Sequence, residues 1–96
     1  MTSKKRFDSV WDALEDTPGE AANMKARASL MIAIAERIKA EGLTQAEAAK
    51  RLGVTQPRVS DLMRGKIDLF SLDMLVNMLA QAGLRVDISV HEGAAA

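Results

Sequence analysis

The 96-residue chain contains no cysteine. This excludes disulfides, thiolate metal sites and a cysteine nucleophile, and it leaves the chain compatible with a reducing cytoplasm. The single histidine, His91, cannot build a histidine-rich metal centre, and so near the C-terminus it reads as a solvated tail residue rather than a general base. Long apolar runs are missing too: nothing approaches the roughly 18 consecutive apolar residues of a membrane span. Lys4, Lys5 and Arg6 are followed from Phe7 to Glu20 by no continuous apolar stretch, so the N-terminus is not expected to be a signal peptide. No Ser/His/acid set, glycine-rich phosphate loop or metal-ligand spacing occurs. The acid pairs Asp12/Glu15 and Glu15/Asp16 read as a solvated helix face, so neither a cofactor nor an enzyme activity is expected. Net charge is also absent, because thirteen basic residues balance thirteen acidic ones. Taken over the whole chain, that balance argues against a nucleic-acid binder.

What is present fits one domain, since a chain of this length has surface and core enough for a single hydrophobic cluster. Phe7, Val10, Trp11 and Leu14 recur at i, i+3, i+4 and i+7 opposite Asp8, Asp12 and Glu15, predicting a short amphipathic helix ended by Thr17-Pro18-Gly19. A second helix is expected from about Asn23 to Glu41, with Leu30, Met31, Ile34, Ala35 and Ile38 on its apolar stripe and Gly42 as its stop. Thr44-Gln-Ala-Glu47 has capping-box spacing and opens a helix to Leu52. Gly53 closes it in the left-handed conformation, Val54 is a buried loop residue, and Thr55 caps a further helix, with Pro57 in its first turn, that ends at Arg64-Gly65. Ser71 caps a last helix to Ala82, striped by Leu72, Leu75, Val76 and Leu79 and widened by Met74 and Met78. From Leu84 the period changes to two: Leu84, Val86, Ile88 and Val90 alternate with Arg85, Asp87 and Ser89, predicting a half-buried strand. Residues 1–6 read as a basic flexible N-terminus, 7–90 as the domain and 91–96 as a disordered tail.

Two short helices joined only through Gly53-Val54 are expected to cross steeply, as in a helix-turn-helix, with Ala46, Ala49, Leu52, Val59, Leu62 and Met63 turned to the core. The second helix then offers Gln56, Pro57, Arg58, Ser60, Asp61 and Arg64 to the outside. These residue types suit a DNA major groove: Gln pairs with adenine, Arg with guanine, Asp accepts from the cytosine amino group and Ser serves either way. Candidate base readers are Gln56, Pro57, Arg58, Ser60 and Asp61, with Arg58 either a guanine reader or a phosphate clamp. A plainer alternative is that Arg58 and Asp61, at i and i+3, pair with each other on a wet surface. Candidate phosphate ligands are Thr44, Gln45, Thr55, Arg64 and Lys66, although both threonines also serve as caps.

Charge supports this face once divided by element. Residues 50–66 hold five basic side chains against Asp61 alone, whereas 7–24 hold five acids and no base. A neutral chain thus keeps a basic DNA surface between acidic flanks.

The run Leu43-Thr-Gln-Ala-Glu-Ala-Ala-Lys-Arg-Leu-Gly-Val-Thr-Gln-Pro-Arg-Val-Ser-Asp-Leu-Met-Arg-Gly65 resembles the signature of the Cro/CI-type, or XRE-family, helix-turn-helix regulators. With Phe7-Asp-Ser-Val-Trp-Asp-Ala-Leu14, Ala21-Ala-Asn-Met-Lys-Ala-Arg27 and the terminal strand, the likeness extends over about residues 7–90 to a small antitoxin-like branch of that family. The resemblance implies Gln56, Pro57 and Asp61 at base edges and Gln45, Thr55 and Arg64 near phosphates. It departs from the phage repressors at Pro57, where a polar reader is common, and in having a strand where they have a fifth helix.

The expected fold is therefore all-α: a helix-turn-helix domain of four to five helices with one C-terminal β-strand. One strand cannot satisfy its own backbone, so 84–90 is expected to pair with a second copy across a two-fold axis, intrachain pairing near Phe7 being the alternative. Leu84, Val86, Ile88 and Val90, with Met74 and Met78, are the candidate dimer interface. The expected function is that of a cytoplasmic, homodimeric, DNA-binding transcriptional regulator, an autorepressing repressor on a near-palindromic double-stranded operator. The alternative is an antitoxin or interaction module that binds a toxin or other protein through the acidic N-terminal helix, where Phe7 and Trp11 either pack on their own domain or face the partner.

Overall fold

The computed structural model describes residues 17–92. The expected helix over Phe7–Leu14, with its partner-binding surface, the basic residues 1–6 and the last residues of the tail lie outside that range. Four α-helices and one 3-10 turn are present among the described residues: α1 over Pro18–Ala40, α2 over Gln45–Leu52, α3 over Gln56–Met63, the 3-10 turn over Ile67–Leu69, and α4 over Leu72–Gln81.

Thr17 opens α1. Its hydroxyl accepts from the Glu20 amide at 3.2 Å, Pro18 occupies the first turn, and Glu20 places a carboxylate at the positive end of the helix. The helix therefore starts five residues before the apolar stripe suggests, because its first turn is set by capping and not by burial. Met24, Met31, Ile34 and Ile38 form its buried face, which packs chiefly against α4.

The capping box at Thr44 forms as expected: the Glu47 amide donates to the Thr44 hydroxyl at 3.1 Å, and the Thr44 amide donates to the Glu47 carboxylate at 2.9 Å. On α2 the core side is made by Ala48, Ala49 and Leu52, while Ala46 is exposed. The expectation for Ala46 fails on rotation: six residues before Leu52 is about 240° around the helix, whereas Ala48 and Ala49 lie one turn away from it. Val59 and Leu62 bury one side of α3, with Met63 half-buried beside them. Between the two helices Gly53 adopts φ +72°, so its amide turns back onto the end of α2 and the chain changes direction there.

Ile67 and Phe70 anchor the connection from α3 to α4, with Phe70 only 2% exposed. Ser71 caps α4 by accepting from the Met74 amide at 3.1 Å. Leu75, Met78 and Leu79 complete a single core drawn from every helix. The C-terminus of α4 closes on Gly83, at φ +82°, with the Leu84 amide returning to the Leu79 carbonyl at 2.9 Å.

The expected strand over 84–90 is not formed. No strand exists among the described residues, and 84–92 run without regular secondary structure. The physical reason lies in where the alternation is spent. Leu84 and Val86 pack against the core of their own protomer, and Arg85 and Asp87 pair with each other on the outside at 3.0 Å. Period two here marks an irregular segment lying half-buried on the helices, with no ladder to join. The fold class among the described residues is thus all-α with no β-strand, and the pairing of strands between two copies falls with it. Met78 is also taken up by the core, while Ile88 and Val90 stand 82% and 91% exposed.

A Cβ placed on Gly53 would keep the left-handed backbone and meet the Cγ and Cδ of Gln81 at 3.3 Å. Gly53→Ala is expected to cost about 1–2 kcal/mol in chemical denaturation, most of it from the backbone. Adding Gln81→Ala is expected to recover only the smaller part due to crowding. Full recovery in the double variant would show that the left-handed turn carries no strain.

Candidate nucleic-acid interface

The second helix of the helix-turn-helix is held from behind and left open in front. Val59 is fully buried and Leu62 nearly so, which fixes the rotation of α3 and sends the remaining positions outward. Thr55 sets its start, accepting from the Arg58 amide at 3.3 Å, and Pro57 fits the first turn, where no intrahelical donor is required. Gln56 and Pro57 are exposed, Ser60 and Asp61 half-exposed, and Arg64 and Lys66 exposed just beyond the end of the helix.

Of the candidate base readers, Gln56, Ser60 and Asp61 carry side chains without a hydrogen bond or ion pair to another described residue. Pro57 offers only an apolar contact. This edge therefore presents an amide, a hydroxyl and a carboxylate with their hydrogen-bonding capacity unused, the condition for reading base edges. Gln45, Arg64 and Lys66 are likewise unpaired among the described residues. Thr44 and Thr55 are engaged as caps, and each lies at the N-terminus of an eight-residue helix, where the amide ends favour an anion.

Arg58 is placed differently from its neighbours. It does not pair with Asp61. Its Nη1 donates to the Leu69 carbonyl at 3.1 Å, and its guanidinium carbon stands 5.5 Å from the centre of the Phe70 ring. Arg51, also in the basic stretch, is drawn to Glu41 at 2.6 Å, a carboxylate that Arg37 shares at 3.4 Å.

One feature of this region escapes the sequence reading. Arg27, on α1, donates from Nη1 to the carbonyls of Ile67 at 3.1 Å and Phe70 at 3.3 Å, while its Nε donates to Asn23 Oδ1 at 2.6 Å. Only the i, i+4 spacing of Asn23 and Arg27 is local. The carbonyls lie forty residues away along the chain, and no periodicity reports them. No group of three or more His, Asp or Glu side chains suited to a metal occurs among the described residues.

The two-helix unit around Gly53 lies within a stretch that matches known proteins. A helix-turn-helix domain family matches residues 13–91. A solved structure assigned to the XRE family of transcriptional regulators is similar to this chain at 32% identity, over 79% of this chain and 85% of that one, with a TM-score of 0.71. No curated protein matches the chain. Since the family match spans most of the sequence and includes the capped pair around Gly53, the chain belongs to the XRE type of helix-turn-helix proteins.

Proposed function

We propose that this protein is a DNA-binding transcriptional regulator that represses by occupying an operator, with α3 in the major groove. The observation that carries the reading is the outward edge of α3, where Gln56, Ser60 and Asp61 have no side-chain partner among the described residues, beside the left-handed turn at Gly53. The XRE-family transcriptional regulator that shares the fold at 32% identity supports it. In this mechanism Gln45, Arg64, Lys66 and the capped helix starts at Thr44 and Thr55 hold phosphates and set the docking geometry. Gln56, Pro57, Ser60 and Asp61 then select the sequence. Gln56 is the natural partner of an adenine, Asp61 accepts from a cytosine amino group, and Pro57 is suited to the methyl of a thymine.

Two copies acting together would place their α3 helices about 34 Å apart, or a multiple of that, on a near-palindromic site in the cytoplasm. Ile88 and Val90 are the most exposed large apolar side chains among the described residues, ahead of Ile32 and Leu69, and self-association draws on them. Sedimentation of the wild-type chain with a palindromic duplex selected from a randomised pool is expected to give two protomers per duplex. The Ile88→Glu/Val90→Glu variant is expected to bind as single protomers with reduced affinity. A wild-type complex of one protomer per duplex would overturn the dimer.

If each protomer neutralises about four phosphates, log affinity should fall against log salt with a slope near −7 for the dimer. Lys66→Ala should weaken binding to all duplexes alike and flatten that slope by about one unit per protomer. Gln56→Ala should cost about 1–3 kcal/mol on the selected duplex and relax preference at one base position. Titration by fluorescence anisotropy reads all three quantities, and a wild-type slope near zero would remove the electrostatic account of binding.

A further inference from the structure

The loop from Lys66 to Ser71 joins α3 to α4 and lies beside the phosphate-binding residues proposed above. Inside, it is fastened by the side chains of Ile67 and Phe70, both in the core. Its backbone is fastened from the outside by two arginines that come from different helices. Arg27 of α1 takes the Ile67 and Phe70 carbonyls, and Arg58 of α3 takes the Leu69 carbonyl while covering the Phe70 ring. Hydrogen bonds from a guanidinium are stronger than neutral ones, and a cation over an aromatic face adds a second, directional attraction. Asn23 holds the Arg27 guanidinium in place through Nε, so that its remaining nitrogens meet the loop in a set orientation.

Arg58 is thus the one polar residue of α3 whose side chain is committed within the protein. To reach a guanine it would have to release both the Leu69 carbonyl and the face of Phe70. The recognition helix is two turns long, and Lys66 sits at the start of the loop that Arg58 grips. The separation between base-reading side chains and phosphate ligands therefore depends on how firmly the loop is tied to α3.

We propose that Arg58 is a positioning residue which, with Arg27, clamps the carbonyls of residues 67–70 and thereby fixes the register between the bases met by α3 and the phosphates met by Arg64 and Lys66. The proposal rests on α3 being the recognition helix, so its test begins with a duplex that the wild-type protein enriches from a randomised pool. If the wild type enriches none, the DNA-binding reading fails whatever Arg58 does.

Given such a duplex, Arg58→Ala, Arg58→Lys and Arg27→Ala are compared with wild type by fluorescence anisotropy, on that duplex and on its single-base variants, with circular dichroism confirming the fold. Arg58→Ala is expected to lose about tenfold in affinity, by the same factor on every duplex, so that the order of preference is unchanged. Arg58→Lys keeps the charge but neither the planar face nor the fork, and is expected to stay closer to Ala than to wild type. Arg27→Ala is expected to reproduce the uniform loss, and the double Ala variant to be less impaired than the product of the two single losses. Amide exchange at residues 67–71 should quicken in both Ala variants.

A change of preference at one base position would make Arg58 a base reader, and full affinity in Arg58→Lys would make it a simple phosphate ligand. A lowered melting temperature with unchanged affinity would leave it purely structural. Each of these results overturns the proposal, and if Arg58→Ala does not fold, Arg58→Lys and Arg27→Ala decide the matter.

Discussion

Helices of eight residues do not hold themselves together in water, where roughly twelve to fifteen residues are needed before a helix is even marginally stable. Both α2 and α3 have that short length, so each exists because it is packed. The close approach of α2 to α3, made possible by fully buried Ala48 and Val59 and by the left-handed Gly53, is the constraint on which the rest depends. It gives two turns of helix a rigid backing and turns their opposite edge outward. The longer α1 and α4 supply most of the remaining apolar surface, and the core they share with Leu52, Val59 and Leu62 joins the pair to the rest of the domain.

Much of that arrangement was legible because it is written in local chemistry. Thr44, Thr55 and Ser71 act as caps, Gly53 takes the left-handed turn, and the stripes of α1 and α4 are buried largely as their spacing suggests. Local chemistry also explains the misreadings. Thr17-Pro18 reads as a stop signal, and that reading conceals the N-cap of α1. Ala46 carries too little apolar weight for composition to distinguish it from Ala48. Only rotation about the helix separates them.

The segment after Gly83 is the more instructive failure. Alternation of apolar and polar residues reports that one side of a chain is buried, and Leu84 and Val86 do face the core. It carries no information about a hydrogen-bonding partner. A strand requires one, and none exists among the described residues. The same distinction separates what could be read of the interface from what could not. Residue type and helical position identify Gln56, Ser60 and Asp61 as an outward polar edge, because exposure there follows from the burial of Val59 and Leu62. The contacts of Arg27 and Arg58 with the 67–70 carbonyls depend on how a non-local loop lies across two helices, which no spacing in the sequence encodes.

Counting charges by segment marks residues 50–66 as the basic part of a neutral chain, but the structure divides those charges by availability. Of its five cations, Arg51 is drawn to Glu41 and Arg58 to a backbone carbonyl, while Lys50, Arg64 and Lys66 have no side-chain partner among the described residues, the last two just past the end of α3. Arg64 and Lys66 lie at the margin of the polar edge of α3 and not within it. In the proposed mode of binding, charge placed there attracts a phosphate backbone without regard to sequence, and Gln56, Ser60 and Asp61 are left to meet the bases. Had Arg58 also been free, in the middle of that edge, it would have competed for the nearest phosphate or guanine and weakened the discrimination made by its neighbours. In that proposed mode of binding, tying Arg58 to the Leu69 carbonyl turns a cation that could meet any phosphate into a strut, and the selectivity of the face gains from the charge it withholds.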